Sequence, residues 1–288
     1  MSREHGIRST WQFNPPVDLP AALYLSQLWL YSGLMLYPMR AVKHLGFFPR
    51  TSVGRHPTVA QTPGKGQFFS LKYREPIYID GAGADRESVA AFDRGAALYD
   101  ALVSPFTGPV DMEAIKLLSR LTPPAARILD LGCGPGSQLF RLAEMVPQGE
   151  VVGVDLAADM ITTAWETARR KGYRNTAYWQ ADVTQLPAEF TEKFDVVHCS
   201  FAFHHYRDPL AALREIIRVL VRDGKSFVID GGTWWANMLS APFARMGDPG
   251  WVRFHTGNEF ADLFQQSGFA DFYWEELLPG IGIAVGTK

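Results

Sequence analysis

The chain has 288 residues, 47% of them hydrophobic and 20% charged, with a formal net charge of -2. That length and apolar content suit one domain of ordinary size with an N-terminal extension, and they exclude wholesale disorder. The charge supplies no basic stripe for a polyanionic backbone, so nucleic acid is not an expected partner. Cys133 and Cys199 are the only cysteines, too few for a disulfide framework and without zinc-like spacing, which suits a reduced, cytoplasmic setting and no metal site.

The N-terminus carries no basic patch followed by a short apolar run and a small-residue cleavage site, so it does not read as a secretory signal, and Met1 serves as the start. Leu19 to Met39 runs without a charge and approaches the length of a membrane span. Pro20 and Pro38 bracket it, Ser26, Gln27, Ser32 and Gly33 dilute it, and Tyr24, Trp29, Tyr31 and Tyr37 are scattered through it. Aromatics in a true span gather at its two ends. The stretch is therefore read as a helix packed on the rest of the chain. The alternative is a membrane-surface contact through residues 19–50, with Arg40, Lys43, His44 and Arg50 facing an anionic leaflet. Thr51 to Asp85 is rich in Gly and Pro and reads as irregular connection. Gly64 and Lys65 within it lack the spacing of a phosphate-binding loop. Residues 1–85 are thus the extension, and 86–288 the main domain.

Helical text runs from Glu87 to Leu102 and from Val110 to Leu121, after which strands and helices alternate. Expected strands are Arg127–Leu131, Val151–Asp155, Ala177–Gln180, Val196–Ser200 and Ser226–Asp230. Expected helices are Ser137–Met145, Ala158–Lys171 and Pro209–Val221. Such alternation calls for parallel β-α-β crossovers and a doubly wound α/β sheet. The tail departs from it: after a helix at Asn258–Ser267, strands at Phe272–Leu277 and Ile281–Val285 form a hairpin through Pro279 and Gly280. The hairpin makes one strand antiparallel, giving a seven-stranded mixed sheet.

The sharpest motif is I-L-D-L-G-C-G-P-G at Ile128 to Gly136, a strand entering a glycine turn and then a helix. Glycine lets backbone N–H groups approach a ligand closely, and the helix N-terminus favours an anionic group. Gly132, Gly134 and Gly136 follow G-x-G-x-G, whereas the dinucleotide fingerprint is G-x-G-x-x-G. Asp130, two positions before the first glycine, would repel a pyrophosphate and suits a ligand with an ammonium group.

With Val154-Asp155 and Ala181-Asp182 following at the ends of the next strands, the chain resembles the class I S-adenosylmethionine-dependent methyltransferases from about Ala90 onward. Leu98-Tyr99-Asp100 and the H-H-Y-R-D-P-L run from His204 to Leu210 resemble the small-molecule branch that includes the ubiquinone and menaquinone C-methyltransferases. The resemblance implies a Rossmann-like fold and S-adenosyl-L-methionine as cofactor. It implies that Gly132, Cys133, Gly134 and Gly136 flank the methionine part, with Asp130 near its amino group and Tyr99 closing over that end. Asp155, followed by Leu156, would take both ribose hydroxyls. Asp182 would take the adenine amino group, Val183 would donate its backbone N–H to the ring, and Met160 would lie against the adenine face. Ser200 completes the implied set. For Asp155 and Asp182 the alternative is helix capping, for Met160 ordinary core, and for Cys133 a small buried filler.

Methyl transfer from a sulfonium needs chiefly an aligned donor and acceptor. Where the acceptor is a phenol or an activated ring carbon, a proton must also leave, and His204 or His205 is the candidate base; the alternative is a cleft-lining role. Adjacent residues on an extended chain point opposite ways, so the two are not expected to share a metal. Trp234, Trp235, Trp251, Phe254 and His255 suggest an apolar or aromatic small-molecule acceptor, to which the 19–39 segment with Phe68, Phe69 and Tyr73 could add a lid. Plugging of the fold is the alternative for these residues. The sequence carries no signal for oligomeric state.

Overall fold

The computed structural model describes residues 75–78, 96–232, 238, 250–278 and 280–288, with the backbone alone for 96–107. The expectations placed on residues 19–50, the 19–39 lid with Phe68, Phe69 and Tyr73, and Trp234 and Trp235 lie outside the described residues.

Helix α1 (Ala96–Leu121) leads into β1 (Arg127–Leu131), α2 (Ser137–Met145), β2 (Glu150–Asp155), α3 (Ala158–Lys171), β3 (Thr176–Gln180) and β4 (Phe194–Ser200). The order continues with α4 (Pro209–Val219), β5 (Leu220–Gly231), α5 (Gly257–Ser267), β6 (Asp271–Leu278) and β7 (Ile281–Thr287), with short 3-10 turns at Ala188–Phe190 and Phe203–His205. The seven strands lie in the order β3-β2-β1-β4-β5-β7-β6. β1 to β5 pair in parallel, and β7 runs antiparallel to both of its neighbours. The mixed sheet is as expected from the tail, with β7 inserted between β5 and the edge strand β6.

Alternation along the strands feeds two apolar layers. Leu129, Leu131, Val152 and Val197 face Leu213 and Ile216 of α4 and Phe260 and Phe264 of α5. Ile128, Val151 and Val196 face Val110, Ala114 and Leu118 of α1, Leu139 of α2 and Ile161 of α3. With helices on both sheet faces, the central strands read as nearly continuous apolar runs, which is why the sequence shows them plainly. The capping chemistry is local: Asp208 accepts from the N–H of Ala211 at 2.9 Å ahead of Pro209, and Thr256 and Glu259 form a reciprocal capping box on α5.

Two boundaries differ from the sequence reading. The described part of the helical text before β1, residues 96–121, forms the single helix α1, running through Pro105 and Pro109. Each proline removes one N–H, and because the two are four residues apart the losses fall on one side of the helix, while Val110, Ala114 and Leu118 are held in the core. Helix α4 stops at Val219 because Leu220 already pairs with Phe194 of β4, and β5 begins there.

Among the described residues of the extension, Ile77 meets the sheet. The N–H of Ile77 donates to Tyr178 O at 3.0 Å and Ile77 O accepts from the N–H of Gln180 at 2.8 Å, a parallel bridge on the outer edge of β3. The Tyr78 hydroxyl lies 2.7 Å from Thr162 Oγ1 on α3.

Candidate active site

The strand order reverses between β1 and β4, and open α/β sheets bind ligands at the carboxyl ends of the strands beside such a switch point. Between β1 and α2 the chain turns through Gly132 (φ +68), Gly134 (φ +53) and Gly136 (φ +97), all left-handed. The turn is tied to β2 by the N–H groups of Gly132 and Cys133, which donate to Val154 O at 2.8 and 3.0 Å. A Cβ on Gly132 would meet the Ala202 Cβ at 2.4 Å, whereas one on Gly134 would have nothing within 4 Å. The first glycine is thus required by packing and the second opens into space that a ligand can use.

Asp155, at the end of β2, accepts the N–H of Gly134 on Oδ2 and that of Ala157 on Oδ1, each at 2.9 Å. A carboxylate at this strand end is acceptor-only, the chemistry that a ligand hydroxyl requires. Asp182, after β3, binds the N–H and hydroxyl of Thr184 through Oδ1 at 2.8 and 2.7 Å, a turn that fixes the carboxylate beside the half-buried Val183. Leu156 is half-buried, and its carbonyl accepts from Gln180 at 3.0 Å. Met160 is buried in the first turn of α3 and belongs to neither apolar layer. Cys133 is buried beneath the turn; burial first, then the charges of Asp155 and Asp130, push its thiol well above the ordinary range. Tyr99 lies on α1, where the backbone alone is described.

Asp130 is buried at 2% exposure; its Oδ1 lies 2.7 Å from His198 Nδ1, and its Oδ2 has no hydrogen-bond partner. An unmatched buried carboxylate oxygen ahead of a glycine turn, a turn that admits backbone donors, and two strand-end carboxylates form a donor and acceptor set that fits the amino-acid and nucleoside parts of S-adenosylmethionine.

On the far side of β4, His204 sits on the 3-10 turn with its Nδ1 3.0 Å from both oxygens of Asp230 at the end of β5. Asp230 also accepts the backbone N–H groups of His204 at 2.9 Å and Gly231 at 2.7 Å. Burial pushes the Asp230 carboxyl up, but the His204 charge and these hydrogen bonds outweigh it and hold the group below the usual carboxylate range. The turn corrects the extended geometry expected of the histidine pair: the rings of His204 and His205 lie against each other with centroids 4.1 Å apart. Among the described residues no group of three or more His, Cys, Asp or Glu could hold a metal ion. Phe254 packs on His204 at 5.0 Å and on Trp251 at 5.7 Å, whereas His255 is buried between Phe203 and Phe260.

Three site residues escaped the sequence reading. Ser200 Oγ donates at 2.8 Å to the buried Asp111 of α1, which Gln138 of α2 also binds, so Asp111 ties the end of β4 to the start of α2. Asp111 had no local signal, because its role exists only where helix and strand pack. His198 and Asp230 did have one, each being a polar residue inside or ending an apolar strand run.

The antiparallel β7, the G-x-G-x-G turn with its preceding acid and the carboxylates after β2 and β3 agree with the fold and site that the resemblance to the S-adenosylmethionine-dependent class implies. Residues 123–248 match the family described as methyltransferase domain. A Bacillus subtilis protein named uncharacterized methyltransferase YcgJ is 31% identical over 147 residues, covering 50% of this chain and 57% of that one. Its crystal structure superposes with a TM-score of 0.52 over 57% of this chain and 71% of that one, at 26% identity. The ubiquinone/menaquinone biosynthesis C-methyltransferase of Desulfotalea psychrophila is 26% identical over 249 residues, which is 77% of this chain and 97% of that one. The crystal structure of an Aquifex aeolicus SAM-dependent methyltransferase, 19% identical, shares the fold with a TM-score of 0.54 over 67% of this chain and 97% of that one. Over residues 123–248 the chain thus matches a methyltransferase domain, and the donor and acceptor set of the site fits S-adenosylmethionine. The chain spans between 47% and 63% of the length of three curated relatives that it matches at more than 30% identity. Among the described residues, no helix is long and apolar enough to cross a membrane.

Proposed function

We propose that the protein methylates a small, hydrophobic or aromatic acceptor of the quinone, polyketide or terpenoid kind. The observation that carries this reading is the His204–Asp230 pair, standing at the carboxyl edge of the sheet beyond the glycine turn, with Phe254 against its ring. The relative named for ubiquinone and menaquinone biosynthesis supports the acceptor class.

In this reading Asp130 meets the amino group of the cofactor, the N–H groups of the 132–136 turn its amino-acid end, Asp155 the ribose, and Asp182 with Val183 the adenine. When bound, the cofactor supplies an activated methyl group on a sulfonium. The protein's own part is to hold the acceptor in line and to take the proton it releases. An ionised Asp230 can only accept, so His204 donates to it from Nδ1, and in this reading the released proton passes to the imidazole. The imidazolium formed on proton transfer is stabilised by the buried carboxylate.

Calorimetric titration with S-adenosylmethionine, S-adenosylhomocysteine and NADH tests the cofactor set; binding of the first two and not the third is expected. Incubation with quinone and polyketide acceptors should then give a product heavier by one methyl group and an equivalent of S-adenosylhomocysteine. A same-fold enzyme using the cofactor for cyclisation would release a product without that mass increase. Binding without turnover on any such acceptor would overturn the acceptor class.

A further inference from the structure

We propose that His198 is a positioning residue for the cofactor: it holds Asp130 as an oriented anion for the amino group. This rests on the assignment of Asp130 given under the proposed function. Tyr178, Gly153, Asp130, His198 and Phe227 occupy successive register positions across β3, β2, β1, β4 and β5, so the five form one row on one face of the sheet. Within that row Asp130 has a glycine on one side, and a Cβ at Gly153 would strike Leu139 and Cys133, so no side-chain donor reaches the carboxylate from there. On the other side stands His198, exposed at only 1%, and beyond it the apolar ring of Phe227. The His198 bond to Asp130 Oδ1 at 2.7 Å is the hydrogen bond that the Asp130 side chain makes.

A carboxylate cannot donate, so Nδ1 of His198 carries the proton and donates. That hydrogen bond fixes the orientation of the carboxylate. Asp130 Oδ2, buried and unmatched, is left with its lone pairs for a cationic donor. Loss of the His198 donor frees the carboxylate to rotate and weakens its grip on that one part of the ligand.

The test separates the amino-acid end of the cofactor from its nucleoside. His198→Phe should bind S-adenosylmethionine and S-adenosylhomocysteine about tenfold or more weakly, the size expected for a hydrogen bond to a charged group. It should bind 5′-methylthioadenosine, which lacks the amino acid, as wild type does. His198→Asn places an N–H donor near the Nδ1 position and should restore binding of the homocysteine ligand. Equal weakening of all three ligands in His198→Phe would mean a merely structural histidine and overturn the proposal, as would unchanged affinity for all three. Asp130→Asn marks the parent assignment: unchanged affinity there removes Asp130 from the site, whereas weakened affinity with no effect at His198 removes the His198 inference alone. If His198→Phe does not fold, the wild-type protein labelled with 15N-histidine decides. The Nδ1–H resonance of His198 should move on binding S-adenosylhomocysteine and stay in place on binding 5′-methylthioadenosine; equal response to both overturns the proposal.

Discussion

His204 and Asp230 are joined twice, through the imidazole Nδ1 at 3.0 Å and through the backbone N–H of His204 at 2.9 Å. The carboxylate therefore fixes both the ring and the turn that carries it. His204→Ala should lower kcat about 10²- to 10⁴-fold, the range for loss of a general base, with S-adenosylmethionine affinity unchanged. Asp230→Asn keeps the shape but removes the charge that stabilises the imidazolium, so it should also lower kcat, with a shifted pH-rate profile. Steady-state kinetics beside calorimetry check both, and an undiminished kcat in His204→Ala removes the base assignment.

The glycine turn makes a graded prediction. A Cβ at Gly132 collides with Ala202, whereas at Gly134 it meets nothing, although both positions have positive φ. Gly134→Ala should cost about 1–2 kcal/mol of stability from backbone strain alone. Gly132→Ala should cost more, since it adds a clash with Ala202 to similar strain. Gly134→Ala should nonetheless lose S-adenosylmethionine binding, because its methyl group fills space the ligand needs. Thermal unfolding with and without S-adenosylhomocysteine separates the effects; full ligand stabilisation in Gly134→Ala would show that the ligand lies elsewhere.

The distribution of what could be read in advance follows from range in sequence. Strands buried on both faces announce themselves as apolar runs, and the glycine turn lies within nine consecutive residues, so the sheet and the first half of the site were legible. The continuity of α1 was not, because Pro105 and Pro109 are local stop signals that core packing of Val110, Ala114 and Leu118 outweighs. The partners of Asp130, Ser200 and His204 were hidden for a related reason. His198, Asp111 and Asp230 lie 68, 89 and 26 residues away from them, and only the parallel register and the packing of α1 bring them together. The single turn at Phe203–His205 likewise defeated the extended-chain reading of His204 and His205.

The two cysteines should be silent in the folded protein. Cys133 and Cys199 are exposed at 7% and 0%, and burial first, then nearby carboxylates for Cys133, disfavours the thiolate that reacts. Ellman's reagent should label neither thiol on mixing with native protein and both in urea. Rapid labelling of a native thiol would contradict the packing beneath the glycine turn.

His255 gives a stability signature in mild acid. Its ring lies between Phe203 and Phe260 at 4% exposure, and its Nδ1 has no hydrogen-bond partner. Burial first, then the positive charge of Arg253, pushes its pKa below the ordinary value of 6.5. As pH falls below about 6.5 the unfolded chain takes up a proton that the folded protein refuses, so stability is lost until the lower folded value is passed. His255→Phe replaces the imidazole with a ring that suits the same aromatic neighbours and cannot titrate. Its urea midpoint should fall less than that of wild type between pH 7.5 and about 5.5, whatever the offset at pH 7.5. The depressed carboxyls of Asp230 and Glu259 act at lower pH, below the carboxylate values of 3.8 and 4.5, and so leave this window to histidine. Parallel urea profiles for the two proteins would mean that His255 is hydrated in solution, and the aromatic packing around Phe203 would then have to be looser than the distances here imply.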